Sequence, residues 1–88
     1  MTTPIEKARN LGPVTVAELR RAGITTVEEL RALGWQEAWA RVVEMFPNRR
    51  NANMGYGLAG ADLDIDWRAL HPEIKAEVKA MLARLRRV

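Results

Sequence analysis

Apolar residues recur along the chain at intervals of three and four, the spacing that lines one face of an α-helix. Val16 and Leu19 form one such stripe, with Val14 and Ala22 at its margins, and Val27, Leu30 and Leu33 form a second. Trp35, Trp39, Val42, Val43 and Phe46 make a third, and Ile74, Val78, Met81, Leu82 and Leu85 a fourth. Residues that start or stop helices stand between these stripes. Pro13 and Pro72 suit the first turn of a helix, where the missing N–H has no partner to lose. Gly23 and Gly34 suit helix ends, Pro47 stops the third stripe, and Thr25 or Thr26 with Glu28 or Glu29 forms a capping box. Ile24 falls between two elements and is expected to plug inward.

Three segments are less regular. Thr3-Pro4-Ile5-Glu6 predicts a capped, proline-started first helix that closes at Asn10, a residue that tolerates the left-handed conformation. "PNRRNAN", residues 47–53, predicts an exposed polar loop. "NMGYGLAGA", residues 53–61, holds three glycines, each costing a helix about 1 kcal/mol relative to alanine. It predicts a short buried helix whose small face admits a neighbouring backbone. "DLDID" then reads as a turn, and Trp67 to Leu70 as one helical turn. The whole predicts an all-α bundle of five or six short helices in a single domain over residues 1–88, with no internal repeat.

Composition narrows the function. An 88-residue core folds alone but leaves little room for a deep active-site cavity, so a function built on the surface is expected. No apolar run approaches the roughly 18 residues of a membrane span, and the first residues lack an apolar signal core, which points to a cytoplasmic address. There is no cysteine, no serine and a single histidine, His71, so disulfides, thiolate metal sites and most nucleophilic triads are excluded. His71 precedes Pro72 and reads as a cap rather than a catalytic group. No enzymatic activity and no cofactor are expected.

Asp62, Asp64 and Asp66 with Glu73 share the spacing of a calcium loop, but the sixth position is Trp67 where the sharp turn needs glycine. A polar corner explains them better. The net charge is +3, and the excess lies entirely in residues 49–88, much of it at Arg49, Arg50 and the C-terminal arginines. Trp35 and Trp39, one helical turn apart, read first as core; an apolar partner or dimer surface is the other reading.

"NLGPVTVAELRRAGITTVEEL" has the form of a helix-hairpin-helix, covering about residues 3–34. In such hairpins backbone N–H groups and a helix N-terminus hold a phosphate oxygen without reading a base. The contact set read here is Lys7, Arg9, Leu11, Gly12 and Thr15, with Arg49 and Arg50 as supporting charge. Asn10 stands at the first hairpin position, and Pro13 has no N–H to give.

The order "NLGP…AGITTVEELRALG…AW" followed by "YGLAGA…DW" resembles the C-terminal domain of the TfoX/Sxy family over about residues 10–83. Gly34, Trp39, Gly60, Ala61 and Trp67 fit its pattern; Gly55 and Gly57 stand where it carries larger residues. The resemblance implies an all-α domain in a family linked to regulation of DNA-uptake competence, without catalytic residue or cofactor. Competence-regulating members carry an additional N-terminal domain with no counterpart in these 88 residues. The function expected is that of a non-enzymatic regulatory or adaptor domain working through protein contact, with a homodimer as one arrangement. The alternative is a sequence-independent DNA-binding module that uses residues 9–15 as its phosphate clamp.

Overall fold

The computed structural model describes residues 2–87. Five helices follow one another: α1 (Pro13–Arg21), α2 (Val27–Leu33), α3 (Trp35–Met45), α4 (Ala52–Leu63) and α5 (Pro72–Arg86). Single 3-10 turns at Ile5–Lys7, Pro47–Arg49 and Trp67–Ala69 link them. The fold is all-α, as the stripes predict.

Local chemistry sets most boundaries. Pro13 and Pro72 each open a helix. Gly23 and Gly34 adopt φ of 86° and 85°, a region that favours glycine. Thr26 caps α2: its hydroxyl accepts from the Glu29 N–H at 3.1 Å, and the Glu29 carboxylate takes the Thr26 N–H at 3.0 Å. The Thr25 hydroxyl, with its amide, holds the Glu29 carboxyl below the ordinary glutamate range. The carboxylate's half of the box therefore contributes fully above that range and is lost as pH falls through the lowered value, while the Thr26 hydroxyl keeps the Glu29 N–H. Thr26→Ala is expected to lower stability by about 1 kcal/mol in urea unfolding; an unchanged midpoint would show that the box contributes nothing.

The start of the chain departs from expectation. Thr3 caps no helix. Its N–H and hydroxyl both donate to the Glu28 carboxylate, at 2.7 and 2.9 Å. The backbone runs extended beside residues 25–27, with Ile5 N–H donating to Thr25 O and Val27 N–H to Thr3 O. Seating Ile5 in the core, fully buried, wins over a first helix, and only the turn Ile5–Lys7 remains helical. Asn10 does take the left-handed conformation, with φ of 70°.

The core gathers Ile5, Leu19, Ile24, Leu30, Trp39, Val42, Leu58 and Val78. Val14 does not join the α1 stripe: it is 67% exposed, while Ala22 packs against the core. α4 is the central helix, packed by α2, α3 and α5. Its glycines allow this. A Cβ at Gly55 would lie 2.6 Å from ring carbons of Trp39 and from Val78, and one at Gly60 would meet the Asn10 side chain and the Ile65 carbonyl.

The 47–53 segment also departs from expectation. Pro47–Arg49 form a turn, Asn51 caps α4 by accepting from the Met54 N–H at 3.0 Å, and Arg49 turns inward. A cation reaching a carboxylate and a hydroxyl on α1 outweighs a solvated loop tip.

Candidate functional site

The hairpin is tied down on both sides. The Asn10 side chain donates from Nδ2 to the Ile65 carbonyl at 2.9 Å and accepts at Oδ1 from the Trp67 N–H at 3.2 Å. Arg9 pairs with Asp64 at 2.9 Å. These bonds span more than fifty residues of sequence and dock the turn on the corner after α4.

The other side is closed by Arg49. Its Nη2 donates to the Thr15 hydroxyl at 3.0 Å, and its Nε lies 2.9 Å from Glu18 Oε1. The side chains are 24% and 12% exposed, and neither contacting atom has a hydrogen bond of good geometry, so the contact is ionic. Trp39 Nε1 donates to the Arg49 carbonyl at 3.1 Å, which fixes the turn from below.

This geometry separates the residues read as a phosphate clamp. Thr15 and Arg49 come together, but the charge of Arg49 is matched by Glu18. Arg9 is matched by Asp64. Arg50 lies apart, bonding to carbonyls of Pro47 and Leu85 near the end of α5. Lys7 is exposed at the end of the first turn. Leu11 and Gly12 keep amides with no hydrogen-bond partner among the described residues. A cleft outside them is lined by Gly12, Pro13, Val16, Ala17, Glu6 and Arg20, with Glu6 paired to Arg20 at 2.6 Å. A phosphate approaching through this cleft meets the Glu6 carboxylate and its matched Arg20.

Trp35 and Trp39 are core residues, 4% and 0% exposed, so they form no partner surface. Their rings lie 6.3 Å apart, tilted by 35°. The acidic corner is also committed internally. Asp62 accepts from the Trp35 N–H, Asp64 holds Arg9, and Asp66 accepts from the Arg68 amide and guanidinium. The Arg68 hydrogen bonds hold the Asp66 carboxyl at about 2. His71 accepts at Nδ1 from the Glu73 N–H and caps α5. Among the described residues no cluster gathers that would hold a metal ion.

The surface feature that sequence reasoning missed is a trough made of two adjoining clefts, of about 340 and 320 Å³. They share Asn10, Asn53 and Gly57. One end is lined by Thr15, Arg49 and Asn51, the other by Tyr56 and Trp67. The Tyr56 and Trp67 rings lie 6.5 Å apart with planes within 20° of parallel, and Trp67 is 45% exposed. The Asp66 cap on Arg68 N–H and the Asn10 bond to Trp67 N–H set the backbone that carries Trp67. A signal existed: Asn53, Tyr56 and Gly57 share one face of α4 at i, i+3 and i+4. Nothing local to α4 brings Trp67 there. A second exposed patch lies where Pro13, Val14 and Ala17 of the α1 start adjoin Phe46, with Arg21 6.0 Å from the Phe46 ring.

Comparison with known proteins agrees with the resemblance. A family model described as the TfoX C-terminal domain matches residues 1–82. A crystal structure of an uncharacterized protein from Listeria monocytogenes, in a triclinic form, is similar at a TM-score of 0.90. It is 31% identical, over 96% of this chain and 94% of that one. A protein of unknown function from the same organism, in a tetragonal form, gives a TM-score of 0.87. It is 32% identical, over 92% of this chain and 98% of that one. No curated protein matches. With the family model spanning nearly the whole chain and these two structures sharing its fold, the protein belongs to the TfoX C-terminal domain family.

Proposed function

We propose that this chain is a non-enzymatic regulatory or adaptor domain that works by contact with another protein, in competence or related regulation. One observation carries the reading: the arginines beside the hairpin, Arg9 and Arg49, are matched by Asp64 and Glu18, while Trp67, whose backbone N–H the hairpin holds, is left exposed. Duplex binding needs unmatched cations whose phosphate contacts release counterions. Recognition of a protein favours exposed aromatic surface with neutral polar neighbours. Family membership supports a regulatory role. The hairpin then serves as architecture, docking through Arg9 and Asn10 on the corner that presents Trp67.

Site-specific photocrosslinking tests this reading. A benzoylphenylalanine at position 67, irradiated in living cells, is expected to yield discrete protein adducts that the same group at Lys79, exposed on α5, does not. Adducts to nucleic acid, or a pattern identical to that from position 79, would overturn it.

A further inference from the structure

We propose that the trough between the hairpin and α4 binds an extended, proline-bearing segment of the partner protein. The proposal rests on the protein-contact reading and names the chemistry of that contact. Three independent features of the trough converge on such a segment.

The first is its floor. Gly55 and Gly60 are glycine because the fold has no room for a Cβ, but at Gly57 the nearest atom to a Cβ would be the Asn10 carbonyl oxygen, at an ordinary 3.6 Å. Glycine inside a helix is unfavourable by about 1 kcal/mol relative to alanine. Packing within the chain does not offset that cost at Gly57, which lines both clefts. The absent side chain leaves the trough open.

The second is its hydrogen-bonding character. Asn51 uses its carbonyl to cap α4 and keeps its amide NH2 group. The Asn53 side-chain amide, the Tyr56 hydroxyl and the Trp67 indole N–H have no partner among the described residues. Donors dominate this set. A proline-rich segment presents the complement, because it has a carbonyl at every residue and lacks N–H groups at its prolines. Its preformed left-handed helix also loses little entropy on binding, and aromatic-lined grooves are the surfaces that receive such helices. Tyr56 and Trp67 supply that lining.

The third is charge. Arg49, the cation that lines the trough, is matched by Glu18, and Arg9 and Arg68, the sequence neighbours of its residues Asn10 and Trp67, are matched by Asp64 and Asp66. A neutral segment fits better than a phosphate-bearing strand.

The test is a 15N NMR titration of the intact domain with an acetylated, amidated decaproline peptide. A glycine–serine peptide of equal length and an oligothymidylate are run alongside. Decaproline is expected to shift the Trp67 indole and Asn53 side-chain resonances saturably, while the glycine–serine peptide does not. Trp67→Ala removes an exposed wall, and Gly57→Leu fills the floor; each is expected to weaken the response about tenfold or more. No shift up to roughly 5 mM peptide, equal shifts with the glycine–serine peptide, or an unaltered response in a folded Trp67→Ala would overturn the proposal. So would shifts at these resonances with oligothymidylate alone, which would assign the trough to nucleobases. Protein adducts from position 67 would persist through a failed peptide titration, so the two readings fail separately.

Discussion

Arg49→Ala is expected to destabilise the domain by about 3 kcal/mol, read as a fall in the urea midpoint. The loss would come from what remains behind. Glu18 would stay in a site where its side chain is 12% exposed, with its cation gone and Thr15 without its donor. Removing one partner of a buried pair costs several kcal/mol, whereas replacing both by apolar groups of similar size is often neutral. Glu18→Met with Arg49→Met is therefore expected to recover most of the stability lost in Arg49→Ala. A loss below about 0.5 kcal/mol would instead class the pair with solvent-screened surface bridges. The prediction also bears on function. If Arg49 were a phosphate ligand held ready for DNA, its removal would reduce binding and leave the fold nearly untouched.

Substitution of the three α4 glycines by alanine is expected to give results of opposite sign. At Gly55 the new methyl would overlap the ring of Trp39 and Val78, both fully buried, and the Trp39 indole is held by its bond to the Arg49 carbonyl. A net loss of about 2–3 kcal/mol is expected, as overpacking exceeds the gain in helix propensity. Gly60→Ala is expected to lose a similar amount, because its methyl would press on the backbone carbonyl of Ile65 and on the Asn10 side chain that holds the hairpin. Gly57→Ala is expected to gain up to about 1 kcal/mol, since its methyl meets nothing closer than van der Waals contact. Thermal and urea unfolding of the three variants check the series. A uniform change across them would show that propensity alone governs α4 and would remove the packing account of its glycines.

These contrasts also show how much was legible beforehand. The helix starts at Pro13 and Pro72, the stops at Gly23 and Gly34, and the box joining Thr26 to Glu29 can be read from neighbours a few residues apart. Each is settled by a backbone dihedral or a hydrogen bond within one turn. The stripes of α3 and α5 are equally local, because helical periodicity brings their members to one face before anything packs on them. Even the small face of α4 is visible as a run of glycine and alanine.

The candidate site was not legible in this way. Thr3 and Pro4 carry the signature of a capped helix, yet the backbone pairing with residues 25–27 and the burial of Ile5 override it. Arg49 and Arg50 are adjacent and chemically alike, but one reaches Glu18 on α1 and the other the carbonyls near α5. The trough joins Asn10, Asn53 and Trp67 through contacts spanning up to 57 residues. Local hydrogen bonds and periodicity act within a few residues, and so the order of α1 to α5 and most of their starts, stops and inner faces belong to the sequence alone, the first segment and Val14 being the exceptions. Which charges are neutralised, which glycine stays open and where Trp67 is presented depend on how the hairpin docks on the corner after α4 and how Arg49 reaches α1. Those follow from packing and long-range pairing, which no short stretch of chain contains.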